Sequence, residues 1–241
     1  LNNGITEYED KIRTGYRLED VTGIPLQITG DASQNIINVY YVRKDTKVTI
    51  KYIDQVSGTE IDIQKEIEGK YGDKLNLADY QERLIGYVYL GNDSGETDTI
   101  SMTEENRTIT YKYAKEANVV VKYLEKDTNE VLKTEKQIDG YEGKKYEAKA
   151  ETIDGYRLEI IPDNASGKMV EGETIVIFQY VQATKVITEY IDKYTNEVLD
   201  KIEISGYVGD EVDINTKKIE GYYLLDGQIN KEIVLTKEVQ T

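Results

Sequence analysis

Apolar and polar residues alternate in three stretches of the chain, each with the same punctuation. KVTIKYIDQVSGTEI at 47–61, NVVVKYLEKDTNEVL at 118–132 and KVITEYIDKYTNEVL at 185–199 run as an alternating segment into a tyrosine, Tyr52, Tyr123 or Tyr190. Each then breaks at a polar pair and resumes as a second apolar run. Period-two alternation turns one face to a core and the other to water, so these segments read as strands. The breaks at Ser57-Gly58, Thr128-Asn129 and Thr195-Asn196 hold turn-forming residues, and the stretches are therefore predicted to be hairpins.

The residues downstream of each hairpin also recur. A Gly-x-x-Gly element (Gly69–Gly72, Gly140–Gly143, Gly206–Gly209) precedes a Gly-Tyr pair (Gly86-Tyr87, Gly155-Tyr156, Gly221-Tyr222). A closing strand then falls at 108–113, at 174–180 and, more weakly, at 232–235. The N-terminal stretch has only the second half of this plan, with Gly15-Tyr16 and the strand IINVYYV at 36–42. The predicted organisation is a truncated repeat over 1–44, repeats over 45–116 and 117–183, and a repeat over 184–241 that is shortened around 223–231. Joints are a few residues long with no Gly/Ser- or Pro-rich linker, which predicts a stiff, elongated rod. Helix is confined to short turns, best at 76–84 with Asn76 as N-cap and less convincing at 145–153 and 212–219. The fold class is mostly β, α+β at most, in tandem modules of antiparallel strands.

Composition agrees with the pattern and removes most chemistry. Hydrophobic content is 39% and charged content 32%, which suits small modules with much surface. The apolar side chains are chiefly β-branched or tyrosine, the kinds that fit a pleated sheet. With no cysteine and no histidine, disulfides, thiolate nucleophiles, Cys/His zinc sites and His-based relays are excluded. Paired carboxylates for glycoside hydrolysis stand out nowhere among 46 acidic residues, and no enzyme is expected. A net charge of −16 disfavours nucleic acid and anionic membrane surfaces. No apolar run is long enough to cross a bilayer, and the chain opens in mid-pattern, so it reads as a monomeric piece of a longer protein.

The order V-x-V-x-Y-x-D/E, polar turn, G-x-x-G, G-Y, closing V/I-x-Y strand resembles the mucin-binding protein (MucBP) repeats of Gram-positive surface adhesins. The resemblance covers essentially the whole chain. It implies β-grasp-like modules, secretion, attachment to the cell wall through parts of the protein outside this piece, and binding of host mucins or other glycoproteins. The alternative is a non-binding stalk that holds a distal adhesive head away from the wall.

Candidate sites lie where the copies differ. Fifteen of 21 tyrosines sit at repeated positions and are read as scaffold. Among the non-equivalent six (Tyr8, Tyr80, Tyr89, Tyr146, Tyr194, Tyr223), Tyr89, Tyr223 and Tyr194 are the candidates for an exposed platform that stacks on sugar rings. The loop 92–98 gathers Asn92, Asp93, Glu96 and Asp98 around Gly95, hard oxygen ligands that suit calcium, with an ordinary solvated turn as the alternative. No other cofactor is expected. The Gly-x-x-Gly elements lack the basic flanks of a phosphate site and are read as permitting positive φ or a bulge. Lys51 and Lys122 are the places to look for an isopeptide staple.

Overall fold

The computed structural model describes residues 4–95, 98–225 and 231–241. The chain divides into two compact units, Leu1–Glu116 and Ala117–Thr241.

In the first unit, β1 (Tyr16–Thr22) and β2 (Asn38–Arg43) form an antiparallel pair. One complete copy comes next, built from β3 (Asp45–Asp54), β4 (Lys65–Lys70), β5 (Lys74–Asn76), β6 (Tyr87–Asn92), β7 (Thr99–Ser101) and the first half of β8 (Arg107–Glu125). Its sheet order is β4-β3-β8-β6, with the central pair β3/β8 parallel and the outer pairs antiparallel. The first and last strands of the copy thus lie side by side, a β-grasp-like arrangement. β5 and β7 make a short separate ribbon. Alternation in β3 buries Thr46, Val48, Ile50, Tyr52 and Asp54. The apolar members of that face pack with Ile109, Tyr111, Tyr113, Leu75, Leu77, Ile100 and Met102.

The second unit repeats the plan. The second half of β8 pairs with β9 (Val131–Tyr141) and runs parallel to the first half of β13 (Gly172–Ile191), which β11 (Tyr156–Ile160) flanks. β10 (Lys145–Glu147) and β12 (Ser166–Lys168) form the small ribbon. The rest of β13 opens the third copy and pairs with β14 (Val198–Tyr207), while β15 (Glu211–Ile214) pairs with β16 (Lys231–Val234).

That last pairing corrects the expected closing strand at 232–235. β16 occupies the place of β7 and β12, beside the Gly-x-x-Gly element, and not the place of the parallel closing strands. Among the described residues, β13 in the third copy has one parallel bridge, Val186↔Gln240, with Ile187 N–H donating to Gln240 O at 2.8 Å. An isolated apolar run cannot tell these two roles apart, because both bury one face of a short strand.

The two glycines of each Gly-x-x-Gly element have different jobs. The second ones, Gly72, Gly143 and Gly209, adopt φ of 84°, 86° and 91°. The first ones lie where a Cβ would sit 2.5 Å from Met102 Sδ, 2.4 Å from Met169 Sδ and 2.6 Å from Leu235 Cδ1. Met102, Met169 and Leu235 are buried and equivalent, so a missing side chain admits a large one. The expected positive φ holds for the second glycine only; close approach accounts for the first.

Repeated tyrosines act as clamps. Tyr52 OH donates to Tyr80 O at 2.9 Å, Tyr111 OH to Leu77 O at 2.6 Å and Tyr113 OH to Glu82 O at 2.7 Å. In the second copy Tyr180 OH donates to Glu151 O at 2.7 Å while accepting from Glu151 N at 3.0 Å. Each ring fills the core and its hydroxyl satisfies a carbonyl of an irregular segment that makes few backbone bonds of its own. Burial pushes the Tyr113 phenol up to about 12. Within the predicted helical stretch 76–84, a single 3-10 turn forms at Leu77–Tyr80, capped as expected by the Asn76 side chain.

Candidate ligand-binding face

The hairpin tips are set by one device. Asp54, Glu125 and Asp192 end the lead strands and accept from backbone N–H groups of the turn, while Gly58, Asn129 and Asn196 take φ of 73°, 59° and 58°. In the third copy Asp192 Oδ1 accepts from Tyr194 N at 2.7 Å and Thr195 N at 3.1 Å. These bonds, with a contribution from the Tyr222 hydroxyl, hold its carboxyl below the ordinary aspartate range. The bonded turn fixes the backbone of Tyr194 and leaves its ring outside, 88% exposed.

Tyr222 reaches the Asp192 carboxyl of this turn and is 48% exposed. Its sequence neighbour Tyr223 is 82% exposed. Leu224 and Leu225 beside them are also exposed. Tyr222 keeps the turn seen at the other Gly-Tyr pairs, donating from its N–H to Ile219 O at 3.2 Å. Among the described residues it has no counterpart of the strand pairing that Tyr16, Tyr87 and Tyr156 make with Arg43, Lys115 and Gln182. The repeat pattern alone groups Tyr222 with the scaffold. The signal that marks it out is the weak closing-strand pattern after Gly221.

Of the sequence candidates, Tyr194 stands at this turn, Tyr223 is exposed next to Tyr222, and Tyr89 is at neither place. Tyr89 lies two residues into β6, opposite Tyr113 and just before a bulge, in the place that Leu18 and Leu158 take in the other copies. Its ring packs on Tyr111 and Tyr113 with centroids 5.9 and 5.4 Å away, and its hydroxyl accepts from Asn92 Nδ2 at 3.2 Å. It is therefore a core-side tyrosine substituting for a leucine. Tyr80 and Tyr146 likewise pack against the cores.

Asn92 and Asp93 direct side-chain oxygens to the protein itself. Asn92 Oδ1 accepts from Ser94 N at 3.0 Å and Asp93 Oδ1 from Thr110 N at 2.7 Å, while the backbone carbonyl of Asp98 accepts from Leu77 N at 2.8 Å. Glu96 lies outside the described residues. Among the described residues no three His, Cys, Asp or Glu side chains gather as a metal would require. Lys51 and Lys122 make exposed ion pairs with Glu60 at 2.9 Å and Glu135 at 3.8 Å.

The joints between copies are bonded within each unit. At 44/45 the Lys44 N–H donates to Gly15 O at 2.9 Å and Tyr71 N–H to Lys44 O at 2.9 Å, while Arg43 pairs with Asp73. Tyr71 occupies the space that a Gly15 side chain would need, within 2.1 Å of its Cβ position. At 183/184 Ala183 N–H donates to Gly155 O at 2.7 Å. There Arg157 grips Asp210 with two bonds of 2.8 and 3.1 Å and lies over the Tyr207 ring at 4.5 Å. A two-bonded guanidinium–carboxylate pair fixes orientation as well as distance.

The recurring hairpin, glycine pair and tyrosine clamp define one domain used repeatedly, and the MucBP domain profile matches residues 47–114, 118–181 and 185–241. The chain belongs to the MucBP domain family. It is a repeat region of the Gram-positive surface-adhesin type. It is similar to Internalin I of Listeria monocytogenes serovar 1/2a, 30% identical over 81% of this chain and 11% of that protein. Internalin J of serotype 4b is 27% identical over 94% of this chain and 25% of its own length. The MucBP copies here thus span a tenth to a quarter of these curated relatives. Solved structures similar to the chain include Mub-RV (TM-score 0.22, 12% identity, 56% of this chain and 98% of that one). A type 2 repeat of the mucus binding protein MUB from Lactobacillus reuteri gives a TM-score of 0.19 at 17% identity, over 57% and 99%. At such TM-scores the likeness carries no weight beside the family match. Among the described residues no helix is long and apolar enough to cross a membrane.

Proposed function

We propose that this MucBP region is an extracellular adhesive segment, wall-attached through other parts of its protein, that binds a neutral glycan of a host glycoprotein as a monomer. The observation that carries the reading is the pair of exposed rings at the Asp192 turn, Tyr194 and Tyr222, with exposed Tyr223 next in sequence. Tyrosine presents an apolar ring with a polar tip, the combination that stacks on a sugar ring and bonds to its hydroxyls. The surrounding charge selects against anionic sugars, because the chain carries −16 and Asp192 sits at that turn. The test is a mucin and glycan-array assay with the intact chain, with and without calcium and at low and high salt. Binding should persist at high salt, and Tyr194→Ala or Tyr223→Ala should each weaken it roughly tenfold, about 1.4 kcal/mol. Tyr89→Phe should leave it unchanged.

The spacer reading has its own support in the bonded joints, where Arg43–Asp73 and Arg157–Asp210 tie one copy to the next. No binding by the intact chain in every arm of that assay leaves the region a spacer.

A further inference from the structure

The parallel pairing at the centre of each complete copy joins the two strands through which the copy is connected to the rest of the chain. In the first, β3 enters the copy and β8 leaves it, and they are parallel from Val48↔Arg107 to Asp54↔Tyr113. In the second, β8 enters and β13 leaves, parallel from Gly172↔Ala117 to Tyr180↔Glu125. Pulling on the chain draws the entering strand toward its N-terminal end and the leaving strand toward its C-terminal end. Because the strands are parallel, this slides one along the other. Every rung of the ladder is then loaded at once, whereas peeling strands from one end breaks rungs singly. The strands also bury the core tyrosines on one face, so sliding drags Tyr52, Tyr111 and Tyr113, or Tyr123, Phe178 and Tyr180, past one another.

We propose that the complete MucBP copies are load-bearing shear clamps, built to stay folded while the protein is under tension. This holds whether or not the exposed tyrosines bind glycan. The ladder is seven residues a side in the first copy and nine in the second. Of these two complete copies, the second is therefore the mechanically stronger.

Forced unfolding is governed by the unfolding rate, so single-molecule pulling reads this property directly. With the chain held by its two ends, the two complete copies should give two high-force steps, each releasing contour on the order of 200 Å. A glycine–serine insertion at the exposed Ser57-Gly58 turn lengthens the first copy's step and so labels it; the labelled step should come before the other. The chain has no cysteine, so Lys47→Cys with Glu105→Cys supplies handles at the same end of the β3/β8 ladder. Pulling there peels the strands, and the force for the first copy should fall severalfold, with circular dichroism and thermal melting checking that the variant is folded. Equal forces for end-to-end and same-end pulling overturn the proposal. So does the absence of high-force steps in the unsubstituted chain, or a labelled first copy that outlasts the second, neither of which depends on the cysteine variant folding.

Discussion

Gly140 shows how much a single missing carbon can decide. Its absent Cβ is the space for Met169 Sδ, which a methyl group would approach to 2.4 Å, and Met169 is buried. Gly140→Ala should therefore destabilise the second unit by about 1–3 kcal/mol, the usual range for overpacking, measured by urea denaturation. Gly167→Ala is the control, since a Cβ there meets only Tyr146 at an ordinary 3.6 Å and should be near neutral. Combining Gly140→Ala with Met169→Ala should cost less than the sum of the two, the mark of residues that share one space. The glycines are visible in sequence as recurring residues. Which of the pair needs positive φ and which needs room is not, because the partner methionine lies far along the chain, just past β12, and is replaced by leucine in the third copy.

At the scale of elements, the irregular segment after each Gly-x-x-Gly is held by side chains more than by its own backbone. In the second copy Glu151 is the centre of that attachment. Lys136 and Lys133 from β9 both donate to its carboxylate and hold its pKa at about 2. A carboxyl whose folded pKa lies below its unfolded value of about 4.3 favours folding above that pH, and the contribution fades as the pH falls toward 2. Lys136→Gln should lower the melting temperature of the second unit at about pH 6 to 7. The two melting curves should converge as pH is taken from about 4.5 down to about 2. The pair is exposed, so salt should shrink the difference. Hairpins, turns and closing strands of the two complete copies are legible in the alternation. The role of 232–235 is not, since ribbon strand and closing strand have the same local pattern and differ only in the partner they meet.

Taken whole, the molecule has a surplus of negative charge that its ion pairs do not absorb. The ion pairs among the described residues join exposed or half-exposed groups, each of small worth in water. The unbalanced −16 makes the folded state repel itself. Raising sodium chloride from about 20 mM to about 0.5 M, where the screening length falls below roughly 5 Å, should raise the melting temperature by a few degrees in scanning calorimetry. A fall would mean that the surface ion pairs outweigh the repulsion. The same screening distinguishes the two ways of binding a glycan, because stacking on Tyr194 and Tyr223 survives salt and attraction of charged sugars does not.

The sequence by itself determined the repeated strand plan, the turns and the family, because those are written in local periodicity and in residues with special backbone freedom. Only the tertiary structure decided which tyrosines are free. Tyr89, Tyr194 and Tyr223 all break the repeat, yet Tyr89 stands at a core-side position beside a bulge while the other two are exposed. Exposure depends on what packs above a residue. That neighbour is brought in by the pairing of distant strands, which no local pattern records.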